Sequence, residues 1–262
     1  QDRFNIVVFR DTPKSFRSEL VPASPATLDE AVSFLDGLQS GGSTDVYGAV
    51  KPVLDQAPRQ GVPGIVVMVT DGRPTEGNLE GRALINALSE ENRLGNTVYT
   101  FGGGNTVNQY LMDLLAYRNR GQSYIAPRIE DVDDDLPVFF DRLRDALLVN
   151  LKADYAVVDD EAIFPRDLPD FYRNRVVTVY GEYQPATQGE LVLRIQGSAG
   201  EENKELVLRA DLRDAPKGTR EIAEQWAFEK TYHLIGELTR RGDDPAILGE
   251  MQRLSSEFGV RT

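Results

Sequence analysis

The chain has 262 residues, enough for one large domain or two ordinary ones, each with a real core. Lys plus Arg number 29 and Asp plus Glu 42, a formal net charge of −13, which repels phosphate backbones and argues against nucleic acid as a partner. With no cysteine and one histidine, His233, disulfides, thiolate metal sites and cysteine nucleophiles are excluded, and a Ser-His-Asp triad or a His-rich metal site is disfavoured.

Gln1-Asp2-Arg3 leads straight into an apolar segment, which reads as a fragment or processed piece. Phe4–Phe9 is predicted as a strand, mostly buried. Residues 10–24 are polar, with Pro13 and Pro22, and read as loop with a short edge strand. Thr27-Leu-Asp-Glu30 has capping-box spacing, and Leu28, Ala31, Val32, Leu35 and Leu38 follow at helical spacing. After Gly41-Gly42-Ser43-Thr44-Asp45 a second helix carries Val46, Ala49, Val50, Val53, Leu54 and Ala57 on one face, with Pro52 bending it. Gly64-Ile-Val-Val-Met-Val-Thr-Asp-Gly72 is an apolar run between glycines and reads as a strand buried on both faces.

Next come a helix over Arg82–Leu94, a strand over Thr97–Phe101 closed by Gly102-Gly103-Gly104, and a helix over Val107–Arg118. A short strand over Ser123–Ala126 and a helix over Asp133–Val149 complete this part. Strands alternating with helices predict an α/β fold, a doubly wound and mostly parallel sheet over residues 1–150, with all strand C-termini on one rim. From 151 to 215 the strand-like stretches Asp154–Val158, Val176–Tyr183, Leu191–Gln196 and Leu206–Leu212 have no helices between them and predict an antiparallel β unit. Residues 216–262 predict a helical hairpin, Gly218–Arg241 and Pro245–Phe258, packed on that unit and taking in Trp226 and His233. No run of residues approaches the length of a membrane span.

Asp71 ends its strand where open α/β sheets place their ligand sites. Thr44 and Asp71 are hard oxygen donors suited to Mg²⁺, Mn²⁺ or Ca²⁺. Two ligands cannot hold an octahedral ion, so more oxygens must come from elsewhere. The competing expectation is that Ser43 or Thr44 caps the helix starting near Asp45. Gly102-Gly103-Gly104-Asn105 sits where a phosphate-binding turn would, but lacks the full glycine pattern and a following Lys-Ser or Lys-Thr. A tight turn over crowded backbone is preferred. The acidic run Glu130–Asp135 reads as a solvated helix start, and Asp159-Asp160-Glu161 as an exposed loop.

These blocks together resemble a von Willebrand factor type A domain. The resemblance is carried by Asp2-Arg3-Phe4-Asn5-Ile6-Val7-Val8-Phe9, Gly41–Asp45 and Val67-Met68-Val69-Thr70-Asp71-Gly72, then by Thr97–Gly102 with Asn108-Gln109-Tyr110-Leu111. Ile163-Phe164-Pro165-Arg166-Asp167-Leu168-Pro169 and Ile222–Ala227 resemble the region after that domain in inter-alpha-trypsin inhibitor heavy chains and their bacterial relatives. The resemblance implies a non-enzymatic module for cell adhesion or other protein binding, in the cell envelope or outside the cell. Its metal-ion-dependent adhesion site commonly takes Mg²⁺, which keeps a coordination position for an acidic side chain of a protein partner. Carried over, Thr44 and Asp71 are two of its ligands, and the site's Asp-x-Ser-x-Ser loop has no counterpart here. The segment opens at the family's second strand, so an upstream stretch is expected to supply the first strand, that loop and a preceding β-rich (VIT) domain. Metal binding is expected only with that stretch. A scaffold of the same fold without a working ion site is the alternative, and a phosphate-handling enzyme the third reading.

Overall fold

The computed structural model describes residues 2–8, 12–38, 45–58, 61–71, 81–156, 158–173, 175–183, 189–213 and 215–260. It divides into two compact units, Gln1–Pro58 with Gly64–Asp133, and Arg59–Pro63 with Asp134–Thr262.

The first unit begins with strands β1 (Arg3–Phe4), β2 (Val7–Val8), β3 (Lys14–Ser15) and β4 (Val21–Pro22). The single buried strand expected over Phe4–Phe9 is instead broken into two short antiparallel ladders, β1 with β4 and β2 with β3. Asn5 is the cause. Its Oδ1 accepts from the Ile6 N–H at 2.9 Å and the Arg17 N–H at 3.0 Å, and its Nδ2 donates to Arg17 O at 2.9 Å. The side chain thus takes the place of ladder bonds between the two pieces. Phe16, buried, stacks on Phe4 and packs on Phe34 (centroids 6.0 and 5.6 Å).

Helix α1 (Pro25–Asp36) starts earlier than the spacing of Thr27 and Glu30 predicts. Ser24 is its cap, accepting from the Thr27 N–H at 3.2 Å while Thr27 Oγ1 accepts from the Ser24 N–H at 3.0 Å. Pro25 has its φ preset for the first helical position and no N–H to satisfy. Of its apolar positions Ala31 is buried, whereas Leu28, Val32 and Leu35 are exposed. Helix α2 (Val46–Leu54) buries Val46, Ala49, Val50 and Leu54 as its periodicity predicts.

Strand β5 (Ile65–Val69), helix α3 (Gly81–Glu91), strand β6 (Thr97–Gly103), helix α4 (Gln109–Arg118) and strand β7 (Ser123–Ala126) follow. The strands form a parallel sheet in the order β5-β6-β7, with Ile65 opposite Thr97 and Gly103 opposite Ala126. The central strand β6 is buried from Thr97 to Gly102. Strand β5 departs from the expectation of burial on both faces. Only Met68 is buried, and Ile65 and Val69 are 37% and 47% exposed. Among the described residues no strand pairs with its other edge.

Helix α5 (Val132–Asp141) ends eight residues before the helix expected to reach Val149. Asp145 takes a positive φ of 55°, and Ala146–Asp154 is strand β8. The apolar run Ala146–Val149 suits either state by pattern alone. Pairing decides it, of Ala146 and Leu148 with Tyr172 and Phe171 and of Val149 with Ser198 in β12 (Glu190–Ala199). The second unit also holds β9 (Ile163–Phe164), β10 (Phe171–Tyr172), β11 (Tyr180–Gly181) and β13 (Glu202–Asp211). Its main sheet is antiparallel, in the order β10-β8-β12-β13. Asn150, at φ 55°, sits where the β8–β12 register shifts, and its N–H donates to the buried Asp170 Oδ1 at 2.9 Å. The bulge therefore leaves no buried donor unpaired there.

Helices α6 (Arg220–Arg241) and α7 (Pro245–Phe258) form the expected hairpin. Phe164 of β9 packs with Trp226, Ala227, Leu254 and Val260 in one apolar cluster. Trp226 Nε1 donates to Ala162 O at 2.8 Å, which lets the indole be buried without an orphan donor. Tilted against Phe164 at 5.5 Å between centroids, the His233 ring has its pKa lowered, first by burial and then by Arg166.

Candidate functional site

Parallel pairing sets the C-terminal ends of β5, β6 and β7 on one rim of the first unit. The β5 end continues in register through Thr70, whose N–H donates to Phe101 O at 2.9 Å. Asp71 comes next and is exposed. Its carbonyl accepts from the Asn108 N–H at 2.7 Å. Asn108 is also the cap of α4, with its Oδ1 accepting from the Leu111 N–H at 3.2 Å. One residue thus anchors the backbone of Asp71 and starts the helix behind it. The sequence signal for this role is an Asn one position before an amphipathic helix.

The glycines ending β6 are there for space and turn geometry. A Cβ on Gly102 would stand 2.8 Å from Thr70 O and 3.0 Å from Met112 Cε, so this glycine lets β6 pass close to the Thr70–Asp71 backbone. On Gly103 it would meet Val132 Cγ2 at 2.3 Å. Gly104 has a φ of +84°, the left-handed region that favours glycine. Its N–H donates to Ala126 O at 3.0 Å, so this donor is spent within the fold and does not cradle a phosphate. The turn over crowded backbone is the arrangement found.

Thr44 and the rest of Gly41–Thr44 lie outside the described residues, as does Gly72. The pairing of Thr44 with Asp71 is therefore not drawn from the geometry. The cap expected of Ser43 or Thr44 belongs to Asp45, whose Oδ1 accepts from the Gly48 N–H at 3.0 Å. Further along α2, Lys51 is paired with Glu91 of α3 at 2.5 Å, and the Tyr47 hydroxyl donates to the same carboxylate at 3.2 Å. The hydrogen bond from Lys51 is the main cause of a lowered Glu91 pKa. This is a surface ion pair fastening two helices.

Of the acidic run, Asp131 accepts from Arg128 Nε at 3.1 Å and Nη2 at 2.5 Å, which lowers its pKa, and α5 begins at the next residue. That is the solvated helix start expected. Among the described residues no three His, Cys, Asp or Glu side chains gather closely enough to hold a metal ion. Nor, among them, is any helix long and apolar enough to cross a membrane.

Residues 1–125 match the family model described as von Willebrand factor type A domain. This part of the chain is a von Willebrand factor type A domain. The similarity extends past this domain to inter-alpha-trypsin inhibitor heavy chains. Heavy chain H2 of Mesocricetus auratus is 24% identical over 261 residues, covering 90% of this chain and 27% of that protein. Heavy chain H1 of Homo sapiens is 21% identical over 280 residues, covering 100% of this chain and 31% of that protein. The chain thus spans between a quarter and a third of these relatives' length. Two solved structures share the fold. A von Willebrand factor type A protein from Catenulispora acidiphila superposes with a TM-score of 0.58 at 14% identity, covering 98% of this chain and 71% of that one. The human COPII-coat protein Sec24c gives 0.52 at 11% identity, covering 98% of this chain and 45% of that one.

In the von Willebrand factor A domain the strand ends, the Asp71 backbone anchored by Asn108 and the space left by Gly102 build one side of the rim. The donor set described there, a single carboxylate residue on a β5 extension, falls short of an octahedral ion's needs.

Proposed function

We propose that this chain is a protein-binding module that uses a divalent ion at the C-terminal rim of its parallel sheet. The observation that carries this reading is the placement of Asp71. It is an exposed carboxylate residue directly after a parallel strand, with its backbone carbonyl held by Asn108. Asp71 and Thr44 would contribute oxygen ligands, and the rest would come from an Asp-x-Ser-x-Ser loop on a strand seated along the open edge of β5. Bound there, Mg²⁺ or Mn²⁺ supplies a Lewis-acidic position for an acidic side chain of a protein partner. A first shell with few protein carboxylates keeps that position electrophilic. The net charge of −13 adds a specificity argument, since an acidic partner would be repelled everywhere except at the ion.

The test is binding to surface-immobilised peptides that differ only in Glu against Gln. The protein extended upstream of Gln1 is expected to retain the Glu peptide in Mg²⁺ and to lose it in EDTA or on Asp71→Ala. Retention unaffected by chelation would favour the second reading, a scaffold of the same fold with no working ion site. The phosphate-handling reading loses its strongest feature with the engaged Gly104 N–H.

A further inference from the structure

Strand β13 stands out among the described strands. It runs for ten residues at the edge of the second unit's sheet, and every residue from Glu202 to Ala210 is exposed. Leu206, Val207 and Leu208 lie in its middle, 44%, 40% and 57% exposed. A long exposed edge strand with an apolar centre is a template for another strand. We infer that β13 pairs antiparallel with β13 of a second copy of this chain, centred on Val207.

The hydrogen-bond pattern restricts the register. Strands β12 and β13 form a hairpin closed by Gly200-Glu201, with Ala199 opposite Glu202. Leu212 N–H donates to Gly189 O at 3.1 Å at the far end of the same ladder. In an antiparallel ladder inward and outward groups alternate. The even-numbered residues of β13 therefore turn their N–H and C=O groups to β12, and Asn203, Glu205, Val207, Arg209 and Asp211 turn theirs outward. A two-fold pairing must set outward residues of one copy opposite outward residues of the other, with its centre on one of these five or on an inward residue between two of them.

Charge then selects among them. Centring on Glu205 sets Glu205 on itself, and centring on Arg209 sets Arg209 on itself. Centring on Asn203 or Asp211 leaves most of the strand unpaired. Centring on Leu206 sets Glu205 opposite Val207 and Lys204 opposite Leu208, and centring on Leu208 sets Glu205 opposite Asp211. Centring on Val207 sets Leu206 opposite Leu208 and Glu205 opposite Arg209 in both halves, and Lys204 opposite Ala210. No like charges meet. The alternation already present inside the chain continues across the seam. Arg209 is held by Glu190 at 2.6 Å on its inner side, and Glu205 stands 4.0 Å from Arg194. On the other face Leu206 and Leu208 pair with Ile195 and Leu193, which belong to the apolar layer with Leu148 and Leu168. Pairing would extend that layer through two copies.

The experiment is sedimentation equilibrium on the 262-residue chain over a concentration series, with three kinds of variant. The wild type is expected to approach twice 29.1 kDa as concentration rises. Val207→Pro removes an outward N–H without touching the ladder to β12, and should raise the dissociation constant about tenfold or more. Glu205→Arg should abolish the dimer, and adding Arg209→Glu to it should restore the dimer, which no folding defect would do. Because the chain has no cysteine, a spin label on Asn203→Cys reads the register: centring on Val207 predicts about 27 Å between backbones, against about 14 Å for Glu205 and about 41 Å for Arg209. A chain that stays monomeric throughout, a dimer indifferent to Val207→Pro and to the charge changes, or a spacing that departs from about 27 Å by one register step of about 7 Å or more would each overturn the inference.

Discussion

Trp226 sets its ring against Phe164 and Phe258, at 6.3 and 6.1 Å between centroids, and its Nε1–H on Ala162 O. Both parts of the side chain are used, so substitutions separate them. Trp226→Phe keeps most of the apolar body and removes one of the two donors on the Ala162 carbonyl, which still accepts from the Glu182 N–H at 3.2 Å, for a loss of about 0.5–1.5 kcal/mol. Trp226→Ala also opens a cavity and should cost about 3–5 kcal/mol. Urea unfolding followed by circular dichroism measures both. Glu250 gives the pH counterpart. Arg253 first, and Lys230 next, hold its carboxyl down to about 2. A carboxyl lowered on folding contributes stability above its unfolded pKa, near 4.5, and loses it as pH falls towards 2. Glu250→Gln should therefore destabilise the α6–α7 hairpin by about 0.5–1 kcal/mol at pH 7, with the difference shrinking as pH falls from 4.5 through about 2, read as converging melting temperatures.

At the scale of elements, caps and glycines carry most of the local specificity. Asp45→Ala removes the α2 cap and should cost about 1 kcal/mol. Gly103→Ala drives a Cβ to 2.3 Å from Val132 Cγ2 and should cost about 1–3 kcal/mol, seen as a lower thermal midpoint. Much of this level was legible from sequence. Periodicity placed α4, α6 and α7 within two residues and α2 within three, and the apolar run between glycines found β5. The misses have physical causes. Asn5 breaks a strand by a side-chain contact with Arg17, twelve residues away, that no local pattern encodes. The run Ala146–Val149 is strand because β10 and β12 lie beside it. The two-residue strands β9 and β10 are too short to leave a period. At the rim, Asp71 was legible as a carboxylate ending a strand, whereas the role of Asn108 depends on a bond spanning 37 positions.

For the whole molecule, two units with separate cores mean that a ligand of one need not stabilise the other. The von Willebrand factor A unit ends its sheet on β5, with Ile65 and Val69 exposed and no described strand along the outer edge. A strand seated there would bury apolar surface and bring its terminal loop to the rim beside Asp71. The C-terminal unit presents a different open edge, β13, with its own self-complementary pattern of charge. The two edges predict two independent associations, one gated by a metal and one not. EDTA should accordingly leave the concentration dependence of mass unchanged.

The central claim, an ion held at the rim by Asp71 and Thr44, is tested most directly by calorimetric titration of Mg²⁺ and Mn²⁺. The titrated proteins are the chain extended upstream of Gln1 and its Asp71→Ala and Thr44→Ala forms. The account predicts one site per chain in the wild type, weakened at least about tenfold by either substitution, equivalent to about 1.4 kcal/mol. A folded wild type that binds neither ion, or variants that bind as well as the wild type, would contradict it.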